Sequence, residues 1–505
     1  MRIVTASEMY AIDQYTIEQV GISEDTLMEN AGQAVATILR ERLDKTDRIA
    51  ILAGSGNNGG DGVVIARVLT SEGYNVDLWL IPSSEKMKGA AKRALDIYQH
   101  AGYEVKNYMA HPLPLERYDV VVDALLGIGA KGQVRSPYQE VIQAVNRIDS
   151  LTVYAIDLPS GVPADGGEVE IAIRADVTIT IQCPKLSAYL FPTADYYGEL
   201  IVVDIGIPPR ALETASFRQL WTESDVKRTF PVRKRSSHKG THGKVLVIGG
   251  SHQMPGAITL TAKAALRSGA GLLTMAIPDD IYPVVANRIP EAMLLPCRAE
   301  NGYFAGAMDV ASLAIDAIAV GPGMGRTEGT KQVVQAALAQ DVPVVLDADA
   351  LFFWEEYASL LKERTKPTVV TPHPGELARM LQLSIQDVEK HRFTLSKQLA
   401  TDYGIYVVLK GPYTIVTTPD GKQYINTTGN PALAKGGSGD VLTGIIVAFL
   451  MQHASVQAAV SNAVFIHGKA ADWLVQHGHS PLSVLATDVI DTLSSILYDL
   501  GGRPK

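Results

Sequence analysis

The chain has 505 residues, 47% of them hydrophobic and 20% charged, with a formal net charge of −9. That length exceeds one ordinary core, so two or more globular domains are expected, and the acidic balance argues against a general nucleic-acid or anionic-membrane surface. Two distant cysteines, Cys183 and Cys297, give no zinc spacing and no disulfide framework. With no apolar signal core and no run approaching a membrane span, a cytoplasmic enzyme is the expected class.

The first half alternates helix-like and strand-like segments. Residues 7–19 and 25–43 read as helices, with Ser7 and Asp25 as N-caps. Residues 48–53 form a short apolar strand ending in Gly54, 62–72 a helix, and 75–81 the next strand. Further strands are predicted over 120–122, 152–156, 177–181 and 200–203. Their Val/Ile richness suits a mainly parallel sheet buried on both faces.

Gly54-Ser-Gly-Asn-Asn-Gly-Gly-Asp-Gly62 follows the first strand and opens a helix. It contains G-x-G-x-x-G at Gly54, Gly56 and Gly59, but the acidic residue of a dinucleotide fold is missing. Trp79-Leu-Ile-Pro82 stands where it should be, with Asp77 inside the strand. An ordinary NAD-dependent dehydrogenase is therefore disfavoured, and Asn-Asn-Gly-Gly-Asp adds oxygen ligands that a simple turn does not need. Two more strand-end loops carry acids, Asp123-Ala-Leu-Leu-Gly-Ile-Gly129 and Asp157-Leu-Pro-Ser-Gly161. Oxygens of Asn58, Asp123 and Ser160 could meet around a monovalent cation; taken singly, the two aspartates could as well cap turns.

These segments, with Leu27-Met-Glu-Asn-Ala-Gly32, Pro184-Lys185 and Val203-Asp-Ile-Gly-Ile-Pro208, resemble the NAD(P)H-hydrate epimerase family over about residues 1–215. Val162-Pro163 departs from the family's usual leucine and acid. The resemblance implies potassium held by Asn58, Asp123 and Ser160. It implies a hydrate contacted by Asn57, Asn58, Gly59, Gly60, Asp61, Gly127, Ile128, Gly129, Ala130, Lys131, Gly132, Gln133 and Asp157. Exchanging the configuration of a hydrated ring carbon needs acid/base help. Asp123 and Asp157 are the expected catalytic carboxylates, with Lys185 the weaker candidate.

Strand signals stop after about Pro208, and Val232-Arg-Lys-Arg-Ser-Ser-His-Lys-Gly240 is basic and turn-rich. A front domain over 1–215, a linker over 216–240 and a rear domain over 225–505 are expected. The basic run reads as a solvated linker, or else His238 and Lys239 sit near a bound anion. A second α/β pattern begins at Lys244, with strands over 245–248, 272–277, 317–320, 342–346, 368–370 and 406–409. Residues 413–417 and 423–426 read as a hairpin through Pro419-Asp420-Gly421. Helices are predicted over 257–268, 441–450 and 456–475.

The rear loops fall at strand ends, where open α/β sheets bind ligands. Gly321-Pro-Gly-Met-Gly325 permits close backbone approach, or is a plain turn. The carboxylates of Asp347-Ala-Asp-Ala-Leu351 could hold a metal shell, or one could cap the next helix. Thr371-Pro-His-Pro-Gly-Glu376 fixes His373 between two prolines. Lys410 can meet a nucleotide phosphate or be a surface charge. In Asn430-Pro-Ala-Leu-Ala-Lys-Gly-Gly-Ser-Gly-Asp-Val-Leu-Thr-Gly444 glycines turn N–H groups toward an anion, and a helix start adds its dipole. Asp440 could there take a proton from a hydroxyl that attacks a phosphoryl group.

Together with His238-Lys-Gly240, Gly249-Gly-Ser251 and Ala264-Ala-Leu-Arg-Ser-Gly-Ala-Gly271, these motifs resemble the ribokinase-like superfamily. More narrowly they are similar to the carbohydrate-kinase-related NAD(P)H-hydrate dehydratases, over about residues 225–500. Thr241-His242-Gly243 departs from the acidic and aromatic pair of many relatives. The resemblance implies a hydrate site at Ala257, Gly323, His373 and Asp440. It implies nucleotide contacts at Lys410, Gly411, Thr414, Asn430, Gly436, Gly437, Ser438 and Gly439. Magnesium and ADP are the implied cofactor and co-substrate, since bacterial and archaeal members use ADP and eukaryotic ones ATP.

The whole chain therefore reads as two layered α/β domains, an N-terminal Rossmann-like sheet and a C-terminal ribokinase-like sheet. The expected function is bifunctional nicotinamide-nucleotide repair. The front domain interconverts R and S hydrates, and the rear domain dehydrates the S form with ADP, giving NAD(P)H, AMP and phosphate. A homo-oligomer is expected, with no nucleic-acid or membrane partner. The alternatives are a ribokinase-type small-molecule kinase, which would leave a stable phosphorylated product, and a front domain that binds without catalysis.

Overall fold

Short Val/Ile/Ala strands with helices between them can bury both faces of a parallel sheet. The computed structural model, which describes residues 1–130 and 132–501, does this twice, in units Met1–Phe217 and Arg218–Lys505. Among the described residues no helix is long and apolar enough to cross a membrane.

In the front unit β1 (Arg48–Ala53), β2 (Asn75–Leu80), β3 (Val105–Asn107), β4 (Val120–Ala124), β5 (Thr152–Ile156), β6 (Val177–Ile181) and β7 (Glu199–Val203) form one sheet. Its order is β3-β2-β1-β4-β5-β6-β7, and every pair is parallel. Successive side chains of β1 point to opposite faces. Ile49, Ile51 and Ala53 join one core with helices Glu24–Arg40 and Asn57–Ser71. Ala50 and Leu52 join a second core with Trp79, Val121 and Ile142. The order reverses between β1 and β4, and there the chain leaves both strands into glycine loops.

Helix Asn57–Ser71 starts five residues before the predicted Gly62. Its glycine-rich first turns are helical because they pack too tightly for side chains. A Cβ on Gly59 would lie 2.0 Å from the Gly54 carbonyl oxygen, one on Gly60 2.6 Å from Met28, and one on Gly62 2.6 Å from Ala124.

The rear unit contains β8 (Arg218–Leu220), β9 (Lys244–Ile248), β10 (Leu272–Pro278), β11 (Met293–Cys297), β12 (Ala299–Glu300), β13 (Tyr303–Phe304), β14 (Ala317–Val320), β15 (Val344–Leu346), β16 (Thr368–Val370), β17 (Tyr406–Leu409), β18 (Thr414–Thr417) and β19 (Gln423–Asn426). Ten of them form a sheet of order β11-β10-β9-β14-β15-β16-β17-β18-β19-β8. It is parallel as far as β17; β18 and β19 are the antiparallel hairpin read from the sequence. Helices Pro255–Arg267, Ser438–Leu450, Val456–Gln476 and Ala486–Leu500 bury Ile258, Ile445, Val460 and Leu493 in a common core with Val245 and Val247.

One expectation is corrected. Residues 216–240 are not free linker: β8 pairs in parallel with β19, and Glu223–Thr229 is a helix with a Thr222/Asp225 capping box. Arg-Gln-Leu is too short and too polar to announce a strand, and it lies at the sheet edge, where pairing needs no apolar run.

Candidate active sites

At the front switch point Gly54 follows β1 with its N–H on the Ala124 carbonyl. A Cβ there would stand 1.8 Å from the Leu125 oxygen, so only glycine lets the two strand-end loops close together. Behind them Asp123 is fully buried. Its carboxylate accepts from the Leu125 N–H at 3.1 Å, the Ser160 N–H at 2.8 Å and the Ser160 hydroxyl at 2.6 Å. Burial pushes Asp123 up to about 6, against those hydrogen bonds. Asn58 donates from Nδ2 to the Leu126 carbonyl at 3.1 Å, while its buried Oδ1 has no partner. An orphaned buried oxygen is costly, and beside Asp123 and Ser160 it completes an all-oxygen donor set of the kind hard cations take. The residues fit potassium.

In front of this cluster opens a cavity of about 810 Å³. Asn57, Asn58, Asp61, Gly127, Ile128, Gly129, Ala130 and Asp157 line it, as expected of them. Gly59, Gly60, Gly132 and Gln133 are not among the lining residues; the first two instead make the helix–strand packing close. Lys131 lies outside the described residues. Asp157 sits at φ 68°, a left-handed conformation that an aspartate tolerates at some strain. The turn presents its Oδ1 to the Ile181 N–H at 3.1 Å, the Thr180 hydroxyl at 3.3 Å and the buried Lys185 ammonium.

Asp123, expected as a catalytic carboxylate, is turned into the loops. It does not line the cavity, and its two oxygens already accept three hydrogen bonds within the loops. Among the cavity residues that escaped the motif reading are Tyr10 and Asp13 on helix Ala6–Tyr15. The available signal was an acid beside the buried stripe of an amphipathic helix.

The rear site is assembled by the same rule. The switch lies between β9 and β14, where Gly250 N–H bonds the Pro322 carbonyl at 2.8 Å. Gly323 is left-handed at φ 63°, and a Cβ on it would lie 2.9 Å from Ala257, so these two expected hydrate residues touch. Asp347, after β15, is the hub. Its Oδ1 accepts from the Thr371 hydroxyl at 2.7 Å and Lys410 Nζ at 3.1 Å, and its Oδ2 from the Thr443 hydroxyl at 2.7 Å. Lys410 also faces Glu376 at 3.7 Å. Burial alone would lower the Lys410 ammonium, but the Asp347 and Glu376 charges raise it above its ordinary range.

Helix Ser438–Leu450 begins after Gly437, which is left-handed at φ 93° and abuts Leu260. A Cβ on Gly439 would be 3.4 Å from Lys410 Nζ, so the helix start and the lysine share one spot. The first N–H groups of any helix have no intrahelical partner. Asp440, in that first turn, is pushed up to about 7, chiefly by burial, then by Asp347, with Lys410 opposing and Asp349 adding. His373 caps helix Pro374–Leu381, its Nδ1 accepting from the Gly375 and Glu376 N–H groups. Burial lowers its basicity.

Three expected nucleotide residues are engaged within the protein. Asn430 caps a turn and donates to Asp472 at 2.9 Å, and Thr414 donates its hydroxyl to the Gly411 carbonyl at 3.2 Å. Gly411 leaves room for Arg392, whose guanidinium would lie 2.4 Å from a Cβ there. Gly436 is exposed and Ser438 buried at the helix start. His467 escaped the sequence reading because it lies inside an apolar helix. It is buried with Nε2 unpartnered and a backbone hydrogen bond at Ser438, and burial pushes it down to about 4.

Two open α/β sheets, one with an oxygen-lined cavity and one with a carboxylate at an amide-rich helix start, define a two-domain enzyme. Its rear site suits phosphoryl transfer to a hydroxyl. Residues 24–187 match the family model of the YjeF-related protein N-terminus, and residues 245–495 that of NAD(P)H-hydrate dehydratase. A bifunctional NAD(P)H-hydrate repair enzyme Nnr of Moorella thermoacetica is 37% identical over 517 residues, covering 99% of this chain and 97% of that one. One from Coxiella burnetii is 38% identical over 485 residues, covering 94% and 95%. The crystal structure of the ADP/ATP-dependent NAD(P)H-hydrate dehydratase of Bacillus subtilis, co-crystallised with ATP/Mg2+, is 37% identical to the rear part. It covers 56% of this chain and 98% of its own, at a TM-score of 0.51. The chain belongs to the family of bifunctional NAD(P)H-hydrate repair enzymes, and its rear part shares the fold of that dehydratase structure.

Proposed function

We propose that the front domain interconverts the R and S hydrates of NADH and NADPH, and that the rear domain dehydrates the S form at the expense of ADP. The observation that carries the rear half is the meeting of Asp440, the Gly437–Gly439 helix start and the Asp347–Lys410 pair in one spot.

The hydrate's ring hydroxyl lies against Asp440, between Ala257, Gly323 and His373. Ionised Asp440 takes the hydroxyl proton as the oxygen attacks the terminal phosphoryl group of ADP. First-turn N–H groups and the Lys410 ammonium stabilise the charge gathering on the phosphoryl oxygens. Asp347 holds that ammonium in place. The ring nitrogen's electron pair then expels phosphate, and loss of a ring proton restores the dihydronicotinamide. Among the described residues no cluster of three acidic, histidine or cysteine side chains could cage a metal. Asp347 and Asp349 are the carboxylates that would lie nearest magnesium, which would neutralise phosphate charge.

In the front domain the hydrate occupies the 810 Å³ cavity. Potassium, when held by Asn58, Asp123 and Ser160, supplies positive charge to the Leu126–Gly129 loop. The loop and Asp61 orient the nicotinamide end, and Asp157 places a fixed negative charge beside it.

Purified S hydrate with ADP or with ATP tests the rear reading. One phosphate released per coenzyme restored is expected, with ADP the more efficient. A stable phosphorylated hydrate would instead indicate a kinase.

A further inference from the structure

The front cavity holds two carboxylates, Asp13 and Asp61, to which no described residue donates a hydrogen bond, and Asp13 is the more exposed of the two. Helix Ala6–Tyr15 buries Met9 and Ile12 in the core, and Asp13, four residues past Met9, falls at the border of that face. There it lines the cavity with Tyr10. No described residue donates a hydrogen bond to the Asp13 carboxylate; burial and the charges of Lys185, Asp157 and Glu24 are what act on it.

Three other cavity acids, Asp157, Glu24 and Glu18, are engaged, Glu18 accepting from Gln14 at 3.0 Å, and Asp61 is set apart by its burial. Asp157 is held by the Lys185 ammonium, the Ile181 N–H and the Thr180 hydroxyl, so it is a fixed charge. Asp61 is deeply buried, 9% exposed, in the first turns of its helix. Glu24, at the rim, accepts from Asn57 at 3.3 Å and pairs with Arg93 at 3.9 Å. Asp123 is outside the cavity. Tyr10 titrates upward through burial and the nearby Asp13 and Asp157 charges, so it keeps its proton.

We propose that Asp13 is the proton-carrying catalytic residue of the front site, giving its proton to the ring hydroxyl of one hydrate and recovering it from water that returns on the other face. This rests on the reading of the front domain as a hydrate epimerase. Asp13 protonates the hydroxyl oxygen, the carbon–oxygen bond breaks, and water leaves. The ring nitrogen's electron pair forms a carbon–nitrogen double bond, and the Asp157 charge stabilises the resulting cation. Water adds to the opposite face, its surplus proton returns to Asp13, and the nitrogen recovers its electron pair. Atoms and electrons balance, and no co-reactant is consumed.

The surroundings keep the acid form available. Burial first, then Asp157 and Glu24 against the opposing Lys185, push Asp13 up to about 6. Tyr10 on the same helix, Glu18 in the turn that follows it and Asp61 across the cavity are the other titratable groups of the cavity. The acid form is lost as pH rises through about 6, so R-to-S kcat/KM should fall above that pH.

The test uses the full chain with purified R hydrate and saturating nucleotide, and with S hydrate as control. Asp13→Asn should lower conversion of the R hydrate by about 10²-fold or more, the range of a lost general acid, while S hydrate dehydration stays within about twofold of wild type. Asp13→Glu should recover part of the lost rate, and the fall of the wild-type pH profile above about 6 should vanish from the residual rate of Asp13→Asn. R-hydrate conversion by Asp13→Asn within about threefold of wild type, or a fall above pH about 6 that survives the substitution, would overturn the assignment. Wild-type protein that converts S hydrate but no R hydrate would remove the epimerase reading itself, a separate and recognisable result.

Discussion

The front and rear sites stand at equivalent places in two α/β sheets, yet they manage charge differently. In the front domain the lysine is tied to a carboxylate inside the cavity, Lys185 to Asp157, and an unpartnered oxygen, Asn58 Oδ1, marks a place for a cation. In the rear domain the corresponding ion pair, Lys410 with Asp347, borders a helix start whose free N–H groups suit an anion. The same sheet geometry thus supports proton exchange on a ring carbon in one half and phosphoryl transfer in the other. What differs is the sign of the charge each strand-end loop leaves uncompensated.

The largest effect expected is on Asp440. Asp440→Asn should slow dehydration of S hydrate by about 10³-fold, within the range of a general base, and leave R-to-S exchange unchanged. An equal loss in both assays would break the comparison. Lys410→Ala leaves Asp347 buried without its cation, a change of about 3 kcal/mol. It should raise the nucleotide KM and lower the rear domain's melting temperature, read by calorimetry. Gly54→Ala drives a Cβ into the Leu125 carbonyl and should cost about 2 kcal/mol of front-domain stability. Exchange would then be lost while dehydration survives.

The pH profiles sharpen the contrast. Asp440 must be ionised to act, so dehydration kcat/KM should rise with pH through about 7 and level off. The front reaction should run the other way, falling above about 6. The smallest effect is that of potassium. At a tenfold excess over Kd it should stabilise the front domain by about 1.4 kcal/mol, and Asn58→Leu should abolish that increment while leaving the rear transition alone.

The loops were the legible part of this chain. Gly54, Gly59, Gly321 and Gly437 each answer a backbone contact or a left-handed turn that no other residue meets, so their spacing carries the geometry directly. Asp440 was legible for the same reason, because a helix start has a recognisable sequence. Asp13 and His467 were not, since each is a single polar residue within a helix whose pattern reports burial and not chemistry. Asp123 was legible as a cation ligand, but its separation from the cavity was not, because the three donors that claim it come from residues 125 and 160. Strand β8 was hidden because an edge strand of three polar-leaning residues is specified by its partner.

The most direct measurement gives the intact protein an R and S hydrate mixture with ADP and follows phosphate and dihydronicotinamide absorbance together. The account predicts that both epimers are consumed, with one phosphate released for each coenzyme restored. Recovery that stops when the S epimer is exhausted, or coenzyme restored without phosphate, would contradict it.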